Sequence, residues 1–306
     1  MAKQGGVRVD ISFGLRTGPA PMKPSAFCYH RPGSIAEAVD VLADVGPDQS
    51  RVLAGGQSLV PSMAFRLAAP STLVDINRIE ELDHLSVQDG SLVIGACVRH
   101  AAFHRSVVDG VPGPFLTRVA RHIGHYPIRQ RGTFCGSLAQ ADPASEWCLV
   151  AVGLGASVTA ASKRGTRRID ATDLIVGAMT TTLAEDELLT EAHLPLPAPE
   201  TRLGFAEFSR RAGDFALAMV LASYRVADGR IAGARVAVGG AEDRPRRIAA
   251  AEMALDGNPP GAEAFAAAAG AAAEALDPME DAQTGVAYRR DLVRTLTSRA
   301  LERAVA

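Results

Sequence analysis

Two adjacent glycines lie between a short apolar run and a polar pair in the sequence Ala54-Gly-Gly-Gln-Ser-Leu59. Because glycine has no Cβ, the backbone at Gly55 and Gly56 can take positive φ and let a bulky ligand approach its amide groups. Ser58 is a residue type that caps helices, and Pro61 falls in the first turn that would follow it. The pattern predicts a strand, a tight turn and a helix start whose amides can hold a phosphate or pyrophosphate. The alternative is an ordinary glycine turn.

A second run further along the chain combines hydroxyls, glycines and acids in what we interpret as a loop. Thr133, Gly136 and Ser137 offer hydroxyl and amide donors to a phosphate. Asp142 and Glu146 offer carboxylates to ribose hydroxyls or to an adenine amino group. The run could therefore bind both ends of a dinucleotide.

Local patterns predict the elements that must position these two runs. Ser34, with Glu37 three residues later, marks the start of an amphipathic helix. The pair Asp228-Gly229 marks the turn of a β-hairpin. The predicted strands cover residues 52–54, 73–76, 91–95, 156–160, 215–226 and 235–238, and the predicted helices cover 35–44, 59–68, 261–276 and 286–305, with further helical segments near 100–126 and 145–152.

Composition excludes several classes of function. The chain has 306 residues, 47% of them hydrophobic, which is enough for two or three domains with a sizeable core. A formal net charge of −2 argues against nucleic acid as a partner. The sequence has no apolar run long enough for membrane insertion and no signal-peptide pattern at its start, so we expect a cytoplasmic protein.

The cysteines and histidines give no recognisable metal site. The four cysteines form no C-x-x-C pair, which argues against zinc or iron–sulfur ligation by this chain. Cys135 lies inside the second run, where its thiol could touch a ligand or simply fill space. His100 and His104 stand four residues apart on a possible helix, and we prefer hydrogen-bonded or solvated histidines to a metal pair.

Together the two runs resemble the FAD-binding medium subunit of molybdenum hydroxylases. They are Ala54 to Leu59 and Arg131-Gly-Thr-Phe-Cys-Gly-Ser-Leu-Ala-Gln-Ala-Asp-Pro143. Carbon monoxide dehydrogenase and xanthine dehydrogenase are the reference members. Three more segments match in the same order, Leu188-Leu-Thr-Glu-Ala-His-Leu-Pro195, Arg210-Arg-Ala-Gly-Asp-Phe-Ala216 and Ala287-Tyr-Arg-Arg-Asp-Leu292. Five segments in order are far more specific than one glycine pair, and the resemblance covers nearly the whole chain from Met22 onward.

The resemblance implies FAD as the cofactor, with its pyrophosphate over the amides of residues 54–59. Tyr126 is a candidate to border the isoalloxazine ring, or else a half-buried core tyrosine. No catalytic acid or base and no metal ligand is expected on this chain. The expected cofactor-binding residues are Ala54, Gly55, Gly56, Gln57, Ser58, Leu59, Tyr126, Thr133, Gly136, Ser137, Ala141, Asp142, Glu146 and Leu189.

The resemblance also implies the architecture. We expect an α+β fold in which a two-part PCMH-type FAD-binding region precedes a C-terminal antiparallel sheet covered by helices. The expected divisions are a flexible leader over 1–21, FAD-binding subdomains over 22–78 and 79–198, and a C-terminal domain of the CO dehydrogenase flavoprotein type over 199–306.

The implied function is electron transfer within a hetero-oligomer. A large molybdopterin-binding subunit would oxidise the substrate, and a small subunit with [2Fe–2S] clusters would pass electrons to FAD on this chain. A dimer of such heterotrimers is expected. The first alternative is a self-contained FAD-dependent oxidoreductase that acts on its own organic substrate, and the second is a non-enzymatic nucleotide-binding module.

Overall fold

The computed structural model describes residues 7–8, 23–46, 48–281 and 284–304. Within the predicted leader, Val7 and Arg8 form a short strand that pairs with residues 28–30, whereas the prediction gave this segment no structure. The remainder of the leader prediction lies outside the described residues.

The first sheet contains the strand that leads into the glycine pair. Its elements are β1 (Val7–Arg8), β2 (Cys28–His30), α1 (Ile35–Val45), β3 (Ser50–Leu53), α2 (Leu59–Ala64) and β4 (Thr72–Asp75). The strands pair in the order β1-β2-β4-β3, and β4 runs parallel to both of its neighbours. The Ser34 side chain accepts a hydrogen bond from the amide of Glu37 at 3.2 Å, so the predicted capping of α1 is confirmed.

Helix α2 is shorter than the sequence suggested, because it ends at Ala64 rather than near Ala68. Arg66 takes a φ of 58°, in the left-handed region. The amide of Arg66 bonds the carbonyl of Met63, and the amide of Leu67 bonds the carbonyl of Ser62 at 2.9 Å. These two bonds form a Schellman motif, which satisfies the last carbonyls and stops the helix without a glycine.

The second sheet forms the opposite side of the site. Its strands pair antiparallel in the order β5-β6-β11-β7-β8, and β9 and β10 make a separate small pair. The elements of this region, in addition to short 3-10 turns at Glu80–Leu82 and His100–His104, are β5 (Leu85–Gln88), β6 (Ser91–Gly95), α3 (Pro112–Ala120), α4 (Tyr126–Arg129), α5 (Phe134–Gln140), α6 (Glu146–Leu154), β7 (Ser157–Ser162), β8 (Gly165–Asp170), α7 (Ala171–Leu174), β9 (Ile175–Gly177), β10 (Thr180–Thr181) and β11 (Leu188–Pro195).

Helix α6 is buried along its whole length. It contacts β11 of the second sheet on one side and two strands of the C-terminal sheet, residues 218–227 and 230–239, on the other. A Cβ at Gly153 would lie 3.1 Å from Ala237 Cβ, so the small residue allows close contact with that sheet. Apart from Glu146 in its first turn the helix is apolar on all sides, as expected where a helix lies between two layers.

The third sheet is antiparallel, with its strands paired in the order β12-β13-β14-β15. Its elements are β12 (Arg202–Phe208), β13 (Ala218–Ala227), β14 (Arg230–Gly239), β15 (Arg246–Arg247), α8 (Ala249–Leu255), α9 (Ala262–Glu274) and α10 (Val286–Arg303). Asp228 and Gly229 both take positive φ, of 51° and 73°, so the predicted hairpin turn between β13 and β14 is confirmed.

The C-terminal helices cover this sheet as expected. Helix α10 contacts β12 and β13, α8 contacts β14, and α9 packs against both helices. Alanines 268 and 272 on α9 are fully buried in the shared core, which confirms that the alanine-rich segment lets the helix pack closely. The α+β class and the helix-covered antiparallel sheet are both confirmed.

Among the described residues, none of the helices is long and apolar enough to cross a membrane.

Candidate functional site

A cavity of about 720 Å³ lies where the β3–α2 turn meets the segment from residue 123 to 146 and the start of β11. Most of the expected site residues line it. They are Ala54, Gly55, Gly56, Gln57, Ser58, Leu59, Thr133, Gly136, Ser137, Asp142, Glu146 and Leu189. Tyr126 and Ala141 lie outside this lining. The fold therefore brings the two sequence runs together on opposite walls of one cavity.

The two glycines of the turn have different roles. Gly56 takes a φ of 71°, which is the left-handed conformation that the sequence predicted. Gly55 is absent from the positive-φ residues of the described chain, and its missing side chain serves a close contact instead. A Cβ at Gly55 would lie 2.3 Å from the carbonyl oxygen of Arg131 and 2.7 Å from Gly132 Cα. Gly55 therefore lets the two walls touch backbone to backbone.

The backbone amides of the glycine turn face no internal acceptor. Within the described residues, the N–H groups of residues 55–58 donate no hydrogen bond, whereas the amide of Val60 bonds the carbonyl of Gly56 at 3.0 Å. The Ser58 side chain makes no capping bond to α2 in the described structure, so it differs from the predicted N-cap. Unpaired amides beside a cavity are the groups that bind phosphate oxygens. Because α2 spans only 6 residues, these amides contribute more than the helix dipole.

The second run is helical rather than loop-like. Thr133 is the N-cap of α5, and its hydroxyl oxygen accepts a hydrogen bond from the amide of Gly136 at 3.0 Å. The Thr133 hydroxyl thus keeps its own hydrogen for a ligand. Ser137 lies one turn further along α5 and also lines the cavity. The sequence reading missed this helix because its small residues, hydroxyls and glycine resemble a loop in composition.

Asp142 lies in the turn after α5 and lines the cavity. Its Oδ1 accepts a hydrogen bond from the amide of Ala144 at 2.9 Å. Burial raises the pKa of Asp142, and the bond from Ala144 opposes that shift. The second carboxylate oxygen is available for a ligand hydroxyl.

Glu146, at the start of α6, is more strongly perturbed. It is only 8% exposed. Burial first, and then the charge of Glu207, raise the pKa of Glu146 to about 8. The Glu207 side chain is itself 2% exposed, and its Oε2 lies 3.5 Å from His122 Nδ1. A raised pKa favours the neutral acid at pH 7, which can donate as well as accept a hydrogen bond, whereas the sequence suggested a carboxylate acceptor.

Two expected site residues do not reach the cavity. The Tyr126 side chain is 61% exposed, and its ring stacks on His104 with centroids 5.7 Å apart. The half-buried interpretation is therefore wrong, and the position of Tyr126 beside the isoalloxazine ring stays a prediction. Ala141 acts through its backbone, because its φ of 52° ends α5 and its carbonyl accepts from the amide of Met179 at 2.9 Å. That bond holds Met179 in the cavity wall.

The cysteine and the histidines near the site have structural partners. The Cys135 thiol donates to the carbonyl of Ile94 at 3.4 Å, and burial raises its pKa, so it remains a neutral, space-filling group. His100 Nδ1 accepts from Trp147 Nε1 at 3.0 Å. Burial, followed by the charge of Arg129, lowers the pKa of His100 to about 3. His104 Nε2 accepts from Arg129 Nε at 2.9 Å.

Sequence reasoning missed several residues of the wall. His125, Ile128, Met179 and Phe215 line the cavity, together with Gly213 and Asp214. The matching segment from Arg210 to Ala216 was the available signal for three of these. The approach of His125 to the loop between β12 and β13 depends on Gly213, where a Cβ would lie 2.5 Å from the imidazole Cε1. No local pattern marks Met179. Its amide bonds the carbonyl of Ala141 at the end of α5, and this bond places Met179 in the cavity wall.

Comparison with known proteins decides the family. Residues 25–197 match the model of the FAD binding domain in molybdopterin dehydrogenase, and residues 204–304 match that of the CO dehydrogenase flavoprotein C-terminal domain. The chain belongs to this family of FAD-binding subunits.

Its relatives match over nearly their full length. The nicotine 6-hydroxylase medium subunit of Paenarthrobacter nicotinovorans is 39% identical over 92% of this chain and 98% of its own. The quinoline 2-oxidoreductase structure from Pseudomonas putida 86 has a TM-score of 0.87 at 38% identity, covering 92% of this chain and 98% of that one. A carbon monoxide dehydrogenase structure from Hydrogenophaga pseudoflava has a TM-score of 0.88 at 32% identity, with the same coverage.

The family identifies the cofactor as FAD, and the cavity fits it. The unpaired amides of residues 55–58 suit a pyrophosphate, and Gly55 keeps that turn free of a side chain that would push the walls apart. The chain is thus an FAD-binding oxidoreductase subunit of the molybdenum hydroxylase family.

Proposed function

We propose that this chain is the electron-transfer subunit of a heterotrimeric molybdenum hydroxylase. It takes electrons from the [2Fe–2S] clusters of a partner chain and delivers them through FAD to an external acceptor. The observation that carries the proposal is the cavity. On one side lies the glycine turn with its unpaired amides, and on the other lies the start of the helix capped by Thr133, with the two sides in backbone contact at Gly55. FAD supplies both one-electron and two-electron chemistry when bound there.

The residues of the chain have binding and orienting roles in this proposal. The amides of residues 55–58 hold the pyrophosphate, with the hydroxyls of Thr133 and Ser137 on the facing wall. Asp142 accepts from the ribose or adenine of the adenosine half, and Glu146 donates or accepts beside it. Leu189 supplies an apolar surface at the start of β11. No residue of this chain has to move a substrate proton.

The proposed partners are a large molybdopterin-binding subunit and a small [2Fe–2S] subunit, assembled as a dimer of heterotrimers in the cytoplasm. The Paenarthrobacter relative is a medium subunit of nicotine 6-hydroxylase, which supports an assembly of unlike chains. Substrate oxidation is assigned to the large subunit, so the substrate pocket lies outside this chain.

Anaerobic flavin reduction tests the proposal. The purified chain should carry yellow, oxidised FAD, and candidate substrates such as nicotine, quinoline or carbon monoxide should leave its absorbance unchanged. Addition of the co-expressed large and small subunits should allow the right substrate to bleach the flavin band. Rapid bleaching of the isolated chain by a substrate would instead favour the self-contained flavoenzyme, and a colourless chain that takes up no added FAD would contradict cofactor binding.

The assignment of Asp142 to the adenosine half has its own test. An Asp142→Ala change should weaken FAD binding by about 10- to 100-fold, because a hydrogen bond to a charged group contributes roughly 1.5–3 kcal/mol. FMN lacks the adenosine half, so its affinity should stay within twofold of the unchanged protein. Fluorescence titration of the apoprotein with each flavin measures both values. Equal weakening for FAD and FMN would remove Asp142 from the adenosine site, and Asp173→Ala, an exposed acid on α7, is the control.

A further inference from the structure

A hydrogen-bond network lies behind the cavity wall and begins at Asn77, two residues after the end of β4. Asn77 Nδ2 donates to the carbonyl of Ala54 at 2.9 Å and approaches that of Leu53 at 3.3 Å. These carbonyls belong to the last residue of β3 and the first of the glycine turn. One amide side chain therefore fixes the point at which the strand becomes the turn.

Arg99 continues the network to the opposite wall. Its Nη2 donates to Asn77 Oδ1, and its Nη1 donates to the carbonyl of Arg131 at 2.5 Å. The Arg131 carbonyl is the atom that a Cβ on Gly55 would approach to 2.3 Å. The planar guanidinium reaches both partners at once because its donors form a fixed fork.

Asp75 binds Asn77 and extends the network to Tyr29. Its Oδ1 accepts from the Asn77 amide at 2.9 Å and lies 2.5 Å from Asn77 Nδ2, while its Oδ2 accepts from the Tyr29 hydroxyl. Burial raises the pKa of Asp75, but the hydrogen bonds from Tyr29 and Asn77 outweigh it and leave the pKa below its ordinary value. The carboxylate is therefore charged at neutral pH and holds Asn77 in one orientation.

The network connects both walls of the cavity without contributing to its lining, since Asn77 and Arg99 are separated from it by Ala54 and Gly132. A backbone tie runs alongside, in which the amide of His100 bonds the carbonyl of Gly132 at 2.9 Å. With the backbone tie intact, loss of the side-chain network should loosen the glycine turn while the sheets remain folded.

We infer that Asn77 and Arg99 are positioning residues for FAD, which hold the glycine turn and the Arg131 wall at the separation that the pyrophosphate requires. The inference rests on the proposed cofactor site at residues 54–59. Neither residue touches the cofactor. Both act on the backbone that does, so their effect should appear in cofactor affinity and in the mobility of the turn.

Three variants of the full chain test this. Asn77→Ala removes all four side-chain contacts of Asn77. Asn77→Asp keeps an acceptor for Arg99 but loses the donor to Ala54, and Arg99→Lys keeps the charge but loses the fork. Asn258→Ala is the matched control, because Asn258 Nδ2 donates to the Ala254 carbonyl at 3.0 Å, and Asn258 is exposed, follows α8 and does not line the cavity.

The measurements are FAD affinity by fluorescence titration, thermal midpoint of the apoprotein, and amide hydrogen exchange at Val60, Ile76 and Gly132, whose amides bond the carbonyls of Gly56, Leu53 and Ile128. We expect the FAD dissociation constant to rise about tenfold in all three variants. Exchange at Val60 and Ile76 should accelerate about tenfold, and the apoprotein midpoint should stay within a few degrees of the Asn258→Ala control. Arg99→Lys gives the same test if Asn77→Ala does not fold.

The outcomes separate this inference from the proposed function. Unchanged affinity and exchange in the folded variants would overturn the positioning role while leaving FAD binding intact. A fall in midpoint without a change in affinity would show a purely structural network and would also overturn it. Failure of the unchanged protein to bind FAD would overturn the proposed function and this inference together.

Discussion

Replacement of Gly55 by alanine is expected to remove FAD from the purified chain. The new methyl group would lie 2.3 Å from the Arg131 carbonyl oxygen and 2.7 Å from Gly132 Cα, and both neighbours are backbone atoms that cannot rotate away. The β3–α2 turn and the facing wall must separate, which moves the amides of residues 55–58 away from the Thr133 hydroxyl. We expect the FAD dissociation constant to rise by about 100-fold, or ~2.8 kcal/mol, within the range for overpacking.

Gly270→Ala is the matched control for this change. Gly270 lies inside α9, and a Cβ there would meet nothing within 4 Å. Alanine at that helix position should leave FAD affinity unchanged and slightly raise the thermal midpoint. Flavin content per chain, read from absorbance after gel filtration, and titration of the apoprotein measure the contrast. Full flavin occupancy in a folded Gly55→Ala protein would show that the contact between the walls does not shape the site.

Replacement of Glu146 by glutamine is expected to remove a pH dependence from the stability of the chain. The native state holds a proton on Glu146 up to about pH 8, whereas the unfolded chain releases it near the ordinary glutamate pKa. Between these values the native state binds more protons than the unfolded state, so stability falls as pH rises through this window. Above pH 8 the buried, charged Glu146 is repelled by the carboxylates of Glu207 and Asp142. The imidazole of His122 contacts Glu207.

Glutamine keeps the size and hydrogen-bonding capacity of the neutral acid but cannot ionise. At pH 5 the variant and the unchanged protein should have similar denaturation midpoints, and at pH 8.5 the variant should be more stable by on the order of 3 kcal/mol. Urea denaturation of the apoprotein at several pH values measures this. Glu263→Gln, on the exposed first turn of α9, should show the same pH profile as the unchanged protein. A parallel profile for Glu146→Gln would mean that Glu146 is charged in the folded protein.

Features set by neighbouring residues were predictable from the sequence. The Ser34 cap of α1 and the Asp228-Gly229 turn depend on contacts within a few residues, and both appear where the sequence put them. The alanine-rich α9 and the final helix α10 also follow from long, continuous patterns. The end of α2 was not predictable from the sequence. Arg66 takes the left-handed conformation that closes this helix, and the residue that usually signals such an end is glycine.

The family, FAD as the cofactor and part of the cavity lining were also determined by the sequence alone, through five segments in a fixed order. Tertiary structure decided what each residue does there. Gly55 permits a contact with a chain segment about 75 residues away. Burial, and then the charge of Glu207 on a strand of the C-terminal sheet, raise the pKa of Glu146, and Tyr126 is exposed to solvent. Burial and charge at a residue depend on segments that are distant along the chain, so no local pattern of residue types can encode them.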